Sequence, residues 1–203
     1  VRHGIPRLGP EAGAQPFAIF VNGLKPVHLV PRGIVLATIL TGQREDKMKL
    51  TWLGHSGFRL EIEKAVILID PWMSGNPLFE GHDRKAATEG ATHVLLTHGH
   101  GDHTGDTLAI AKDQGIPVVG IYDLVSFWQE ANGVEGIGFN KGGTVDLGGA
   151  RVTMVNASHS SSLSGREGPV YAGHESGYMI AGEGHVMYVS GDTDIMADME
   201  WMA

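Results

Sequence analysis

The sequence predicts a layered α/β domain, and three observations predict it. Apolar stretches that alternate like half-buried strands open the region from residue 48, two βα repeats follow, and a second set of strands closes it. The segments richest in histidine and aspartate fall just past the ends of those strands. No internal repeat of fixed period runs through the chain, which excludes a solenoid.

Residues 49–53, Lys-Leu-Thr-Trp-Leu, read as the first strand. Residues 58–62 alternate apolar and polar side chains with a period of two, as an antiparallel strand with one wet face should. Residues 65–69 are continuously apolar and deliver Asp70 at their C-terminal end, where Pro71 stops the ladder. Residues 72–82 read as a loop rich in Gly, Asn and Pro. A buried strand is expected at 92–96, a helix at 104–114, a strand at 117–121 and a helix at 122–130. After the Gly142-Gly143 turn the pattern returns to strands at 144–147, 151–155, 178–180 and 186–189.

The chain has 203 residues, 42% of them hydrophobic and 19% charged, so it can bury a core and does not read as disordered. Its net charge is −8, which argues against a broad nucleic-acid footprint, since phosphate binding draws on clustered basic side chains. With no cysteine, disulfides, thiolate metal sites and cysteine catalysis are excluded, and a cytoplasmic location is compatible with that composition. Neither a Walker loop nor a Gly-x-Gly-x-x-Gly fingerprint is present, so no nucleotide cofactor is implied.

Residues 1–47 differ from the rest. They carry six basic residues against three acidic ones, with weak periodicity and scattered Pro and Gly. The apolar run at 33–40 is shorter than the about 20 residues a membrane span needs. The segment is expected to be an upstream translation or a disordered extension, ahead of a genuine extra element or a targeting segment. The functional domain is expected from Met48 to Ala203.

The chemistry concentrates in Thr97-His98-Gly99-His100-Gly101-Asp102-His103. His98 and His100 stand two apart, so in a turning backbone both imidazoles can reach one cation. Asp102 and His103 follow where the chain enters a helix, and they can face a second cation close by. The glycines between them let the backbone bend tightly. Imidazole with carboxylate suits Zn(II), Mn(II) or Fe(II), and zinc is the default for a site this rich in histidine. A polar turn that happens to be histidine-rich explains the run far less well. His159 and Asp192 also follow apolar strands, at 151–155 and 186–189, and are candidate ligands from a second set of strand ends. A surface histidine and a Gly-Asp turn are the plain alternatives for those two.

These residues carry a family resemblance. Trp52-Leu53-Gly54-His55-Ser56-Gly57-Phe58, Leu68-Ile69-Asp70-Pro71-Trp72, the 97–103 run, Ser158-His159-Ser160 and Gly191-Asp192-Thr193 together resemble the metallo-β-lactamase superfamily. Within it they look most like the metal-dependent hydrolase branch related to L-ascorbate 6-phosphate lactonase. The resemblance implies an αββα sandwich whose C-terminal part is incomplete here. It implies that His98, His100 and His159 hold a first metal, that Asp102 and His103 hold a second, and that Asp192 bridges them, with two Zn(II) per complete chain. Asp70 would orient a ligand histidine from behind. His55, in the family's first turn, would contact substrate or the metal shell, with a structural histidine as the alternative.

Members of the family supply one more histidine beyond the Gly-Asp-Thr element, whereas the eleven residues after Asp192 contain none. His174 and His185 are not persuasive substitutes. A fragment is expected over a crippled second site. The implied activity is metal-dependent hydrolysis, in which a metal-bound hydroxide attacks a small ester, lactone or related substrate. Asp102 would orient the nucleophile as well as ligate. A phosphodiesterase acting on a nucleotide or small phosphodiester is the enzymatic rival, an iron redox site a second, and a metal-stabilised non-catalytic domain the third. Ser160, Ser161, Ser162 and Arg166 could receive a phosphate or carboxylate or form a plain polar loop. Trp72, Met73 and Phe79 could wall the site or belong to the core. The expected partner is a small molecule, with no membrane and with self-association left open.

Overall fold

The computed structural model describes residues 19–21, 36–38 and 48–202. Its strands are β1 (Ile19–Val21), β2 (Leu36–Thr38), β3 (Lys49–Trp52), β4 (Phe58–Ile62), β5 (Ala65–Ile69), β6 (His93–Leu95), β7 (Val118–Ile121) and β8 (Gly136–Phe139) in the first part of the chain. They continue with β9 (Thr144–Leu147), β10 (Ala150–Val155), β11 (Ser162–Gly165), β12 (Gly168–Tyr171), β13 (Gly177–Gly182) and β14 (His185–Val189). The helices are α1 (Arg84–Thr88), α2 (Gly101–Thr104), α3 (Thr107–Gln114), α4 (Tyr122–Asn132) and α5 (Met199–Met202).

Two sheets stack as an α/β sandwich, the layered α/β order that the sequence pattern predicts and the architecture that the family resemblance implies. One sheet has seven strands in the order β2-β3-β4-β5-β6-β7-β8 and the other five in the order β1-β14-β13-β10-β9. The seven-stranded sheet is mixed: β2 to β5 pair antiparallel, and β5 to β8 run parallel. In the antiparallel part, β4 buries Phe58, Leu60 and Ile62 and turns Arg59 and Glu61 outward. In the parallel part β7 is buried along its whole length, because α4 covers the face that does not meet the other sheet. The core lies between the sheets, where Leu60, Ile67, Ile69 and Leu95 meet Val152, Met154, Ile180 and Met187 in one apolar cluster, all fully buried. No helix among the described residues is long and apolar enough to cross a membrane.

The extension expected at 1–47 lies outside the described residues except for β1 and β2. Each of those pieces pairs antiparallel at a sheet edge, β1 with β14 and β2 with β3.

The helix expected at 104–114 is divided in two, and the reason lies at Asp106. Its side chain does not cap α3. Oδ2 instead accepts the backbone N–H groups of Met73 and Ser74 at 2.7 and 2.8 Å, and Oδ1 accepts the Ser74 hydroxyl at 2.7 Å, with Arg84 Nε 3.3 Å away. The carboxylate thus fixes the loop after β5, which presents Trp72 to the site. Burial would raise the Asp106 pKa, but these hydrogen bonds and the Arg84 charge outweigh it and hold the group below its usual 3.8. Replacing Asp106 with Ala is expected to cost about 2–3 kcal/mol at neutral pH, because three donors lose a charged acceptor. The depressed pKa means that this contribution is present above pH 3.8 and is lost as pH falls through the lower folded value. Urea unfolding of the variant and the parent should therefore differ at pH 7 and converge in acid. Equal stability at pH 7 would contradict the role given to Asp106.

Candidate metal centre

The site is built from the C-terminal ends of strands in both sheets. Parallel β5 and β6 end side by side, and Asp70 N donates to Leu95 O at 3.0 Å as the chains leave the sheet. Asp70 sits there with φ 44, a left-handed backbone that few non-glycine residues adopt. Its carboxylate is buried and accepts three hydrogen bonds. Oδ1 takes Thr97 N–H at 2.8 Å, and Oδ2 takes the Thr97 hydroxyl at 2.6 Å and His103 Nδ1 at 2.9 Å.

Those bonds fix both histidines of the run. Thr97 has one hydroxyl proton, and Asp70 receives it. Thr97 Oγ1 can then only accept from His98 Nδ1, 3.0 Å away. His98 and His103 each spend Nδ1–H in this network, which leaves both Nε2 atoms to point into the site. Gly99 lies between the ligand candidates because the chain passes so close to Ala172 that a Cβ there would come within 2.5 Å of the Ala172 Cβ. His100 then opens α2 in an extended conformation and turns its ring back toward His98.

Two clusters result. Ring nitrogens of His98, His100 and His159 all lie within 4.8 Å of one another, and His98 Nε2 and His100 Nδ1 are 3.0 Å apart. The three rings stand nearly perpendicular to each other, with centroids 4.6 to 5.1 Å apart. Beside them His55, Asp102 and His103 form a second group of the same spread. Asp192 lies between the groups, its Oδ2 3.4 Å from His103 Nε2 and 3.8 Å from His159 Nε2. Asp70, His98 and His103 also fall within that spread, but the Asp70 oxygens are already committed to Thr97 and His103.

Burial keeps the His98 and His100 rings of the first group from taking up protons. Burial, reinforced by the neighbouring His103 and His100, drives the His98 pKa down to about 2, so its ring stays neutral. Burial and His159 lower His100 in the same way. Burial also works against a charged His103, but Asp70 and Asp192 on either side of it outweigh that and raise its pKa to about 10. Burial would raise Asp192, yet the histidines around it, His103 foremost, lower it to about 2. The residues fit a metal by a second criterion: the Nε2 atoms of His55 and His103 are buried and make no hydrogen bond. Buried nitrogen left without a partner is costly unless something ligates it.

The structure brings His98, His100, Asp102, His103, His159, Asp192, His55 and Asp70 to one place. His174 and His185 belong to neither group. Of the serines after His159, Ser161 accepts Gly99 N–H and donates to Ala172 O, so it serves the backbone. Ser160 Oγ stands 3.4 Å from His100 Nε2, at the mouth of the site. Arg166 sits in the exposed turn between β11 and β12. Met73 and Phe79 are core residues, whereas Trp72 lays its ring edge-on to His55 at 5.4 Å. No sequence motif assigns Thr97 a role, although it stands directly before His98.

Comparison with known proteins agrees with this geometry. A family profile described as "Beta-lactamase superfamily domain" matches residues 66–203. A UPF0173 metal-dependent hydrolase of Paracoccus denitrificans is 80% identical over 155 residues, covering 76% of this chain and 67% of that protein. The chain belongs to the metal-dependent hydrolases of the β-lactamase superfamily. Among solved structures, the metallo hydrolase Igni18 of Ignicoccus hospitalis is 32% identical with a TM-score of 0.64, over 76% of this chain and 64% of that one. The diiron β-hydroxylase CmlA of Streptomyces venezuelae shares the fold at 20% identity and a TM-score of 0.56, over 78% of this chain and 32% of its own. The chain therefore spans about two thirds of its hydrolase relatives' length.

If Thr97 transmits the Asp70 orientation to His98, removing its hydroxyl should loosen the first cluster. Thr97→Val keeps the side-chain shape and should weaken divalent-metal binding by about 10–100-fold, with Thr97→Ser restoring it. Competition titrations against a chromophoric chelator measure this directly. Unchanged affinity in Thr97→Val would remove Thr97 from the network's function.

Proposed function

We propose that the chain binds two divalent cations, zinc by preference, and hydrolyses a small ester, lactone or related substrate. The observation that carries the reading is the pair of histidine groups on either side of Asp192, all at strand ends that meet in one place. Cations in such a site supply a nucleophile from water near neutral pH and polarise the acceptor oxygen of the substrate.

The chain's own residues divide the remaining work. His98, His100 and His159 hold the first cation through ring nitrogens already turned toward one another. Asp102 and His103 hold the second. Asp192 lies between the two groups of side chains, and its negative charge would offset the repulsion of cations bound in both. Asp70 fixes the rings of His98 and His103 from behind, so that little reorientation accompanies binding. The Asp102 side chain is 45% exposed, which leaves it room to orient an incoming water or to hold its proton. Trp72 supplies an apolar wall, and the Ser160 hydroxyl is placed to donate to a substrate oxygen.

Zinc is preferred because the donors are imidazole and carboxylate, with no thiolate in the chain. Manganese and iron(II) accept the same donors, and the diiron relative shows that the fold accommodates iron chemistry. The lactone arm rests on the resemblance of the 52–58 segment to the ascorbate-phosphate lactonase branch.

Zinc-loaded protein should be assayed against an aryl ester, a lactone and bis(p-nitrophenyl) phosphate. Turnover of the ester or lactone is expected, with preference for the phosphodiester marking the rival activity. His98→Ala and His159→Ala should lose zinc and turnover together, the latter to the uncatalysed background. Full activity in either variant would overturn the assignment.

A further inference from the structure

We propose that His55 is a ligand of the second cation, its Nε2 joining Asp102, His103 and Asp192 in a set of two nitrogens and two carboxylates. The assignment rests on the two-cation reading above and extends it, since His55 lies in the turn between β3 and β4, over forty residues before the histidine run.

Several local features fix this ring. His55 has φ 49, a left-handed conformation that a non-glycine residue keeps only where the surroundings impose it. Here Trp52 Nε1–H donates to His55 O at 2.7 Å, and the turn is closed by Leu53 N to Gly57 O and Gly57 N to Gly54 O at 2.8 and 2.9 Å. The ring stands edge-on to Trp72 on one side and to His103 on the other, with centroids 5.4 and 5.3 Å away. Its side chain is only 11% exposed.

The decisive feature is what the nitrogen faces. His55 Nε2 lies 3.2 Å from Asp102 Oδ2 and makes no hydrogen bond, and His103 Nε2 is left without one in the same small space. A structural histidine would spend its ring nitrogens on protein partners. A histidine meant for substrate would present Nε2 on the open side of the cleft. Two buried nitrogens, one facing Asp102 and the other Asp192 without a hydrogen bond to either, are accounted for together by a cation. Asp102 and Asp192 supply the charge that balances it, and imidazole with carboxylate selects zinc, manganese or iron(II) over calcium or magnesium.

The test compares two variants that both tolerate the left-handed backbone, His55→Asn and His55→Asp. Metal-free chain of residues 1–203 is titrated with Co(II) and with Zn(II), read by elemental mass spectrometry and by the visible Co(II) spectrum, with circular dichroism to verify folding. The parent should take up two cations. His55→Asn should keep the first at nearly unchanged affinity and lose the second by more than the about 10–100-fold that loss of an orienting neighbour costs. His55→Asp should recover the second cation with an altered Co(II) spectrum. Two cations bound to folded His55→Asn as tightly as to the parent would overturn the assignment. So would His55→Asp behaving like His55→Asn, since the role would then not be ligation. A parent that binds no cation would instead overturn the two-cation reading, and this assignment with it.

Discussion

The Asp70 carboxylate is the point on which the site depends. It is buried at the end of β5, in a left-handed conformation, and it accepts from Thr97 N, Thr97 Oγ1 and His103 Nδ1. Through Thr97 it reaches His98, and directly it reaches His103, so one residue sets the ring orientation in both histidine groups. That arrangement makes the two groups parts of one device. A change at Asp70 would be felt on both sides of Asp192, while a change at Thr97, His100 or His159 would be felt first on one.

The fold serves that carboxylate by bringing two sheets to a common edge. From the seven-stranded sheet, β5 and β6 run parallel and deliver Asp70 and the 97–103 run to the same end. From the five-stranded sheet, β10 leads to His159 and β14 to Asp192. Ser176 N donates to Thr97 O at 2.9 Å and Gly191 packs against Thr97, so the two halves are stitched at the residue that relays the orientation. Gly191 has φ 60, and a Cβ there would come within 2.7 Å of the Thr97 Cβ, which is why this turn needs glycine immediately before Asp192. The buried Tyr178 hydroxyl donates to Leu96 O and adds a second tie between β13 and the end of β6.

Much of this was legible in the sequence, and the rest was hidden for identifiable reasons. The strands at 58–62, 65–69 and 144–147 have the bounds that their patterns imply, because a period of two or a short apolar run leaves few alternatives. The 97–103 run was visible because three histidines and an aspartate within six residues are more than an ordinary turn needs, and His159 and Asp192 because they follow apolar strands in the same way. Strand β8 was not visible, since Gly136 and Gly138 dilute its pattern and its partner β7 lies across the α4 crossover. The β11 and β12 hairpin is mostly polar or exposed and carries no period that a core would impose. The break at Gly105-Asp106 depends on a carboxylate that bonds a loop thirty residues earlier, which no local propensity encodes. The Thr97 relay and the direction of the His55 ring belong to the same class. Each is decided by a long-range contact and by a left-handed backbone at a residue other than glycine.

Anomalous X-ray diffraction from a zinc-soaked crystal tests most directly the proposal that Asp70 preorganises two cation sites sharing Asp192. The account predicts two peaks above the zinc edge, one among His98, His100 and His159 and one beside Asp102 and His103, with Asp192 touching both. It also predicts that the Asp70 bonds to Thr97 and His103 persist in the loaded protein. A single peak away from these residues, or Asp70 itself bound to the metal with Thr97 released, would contradict it.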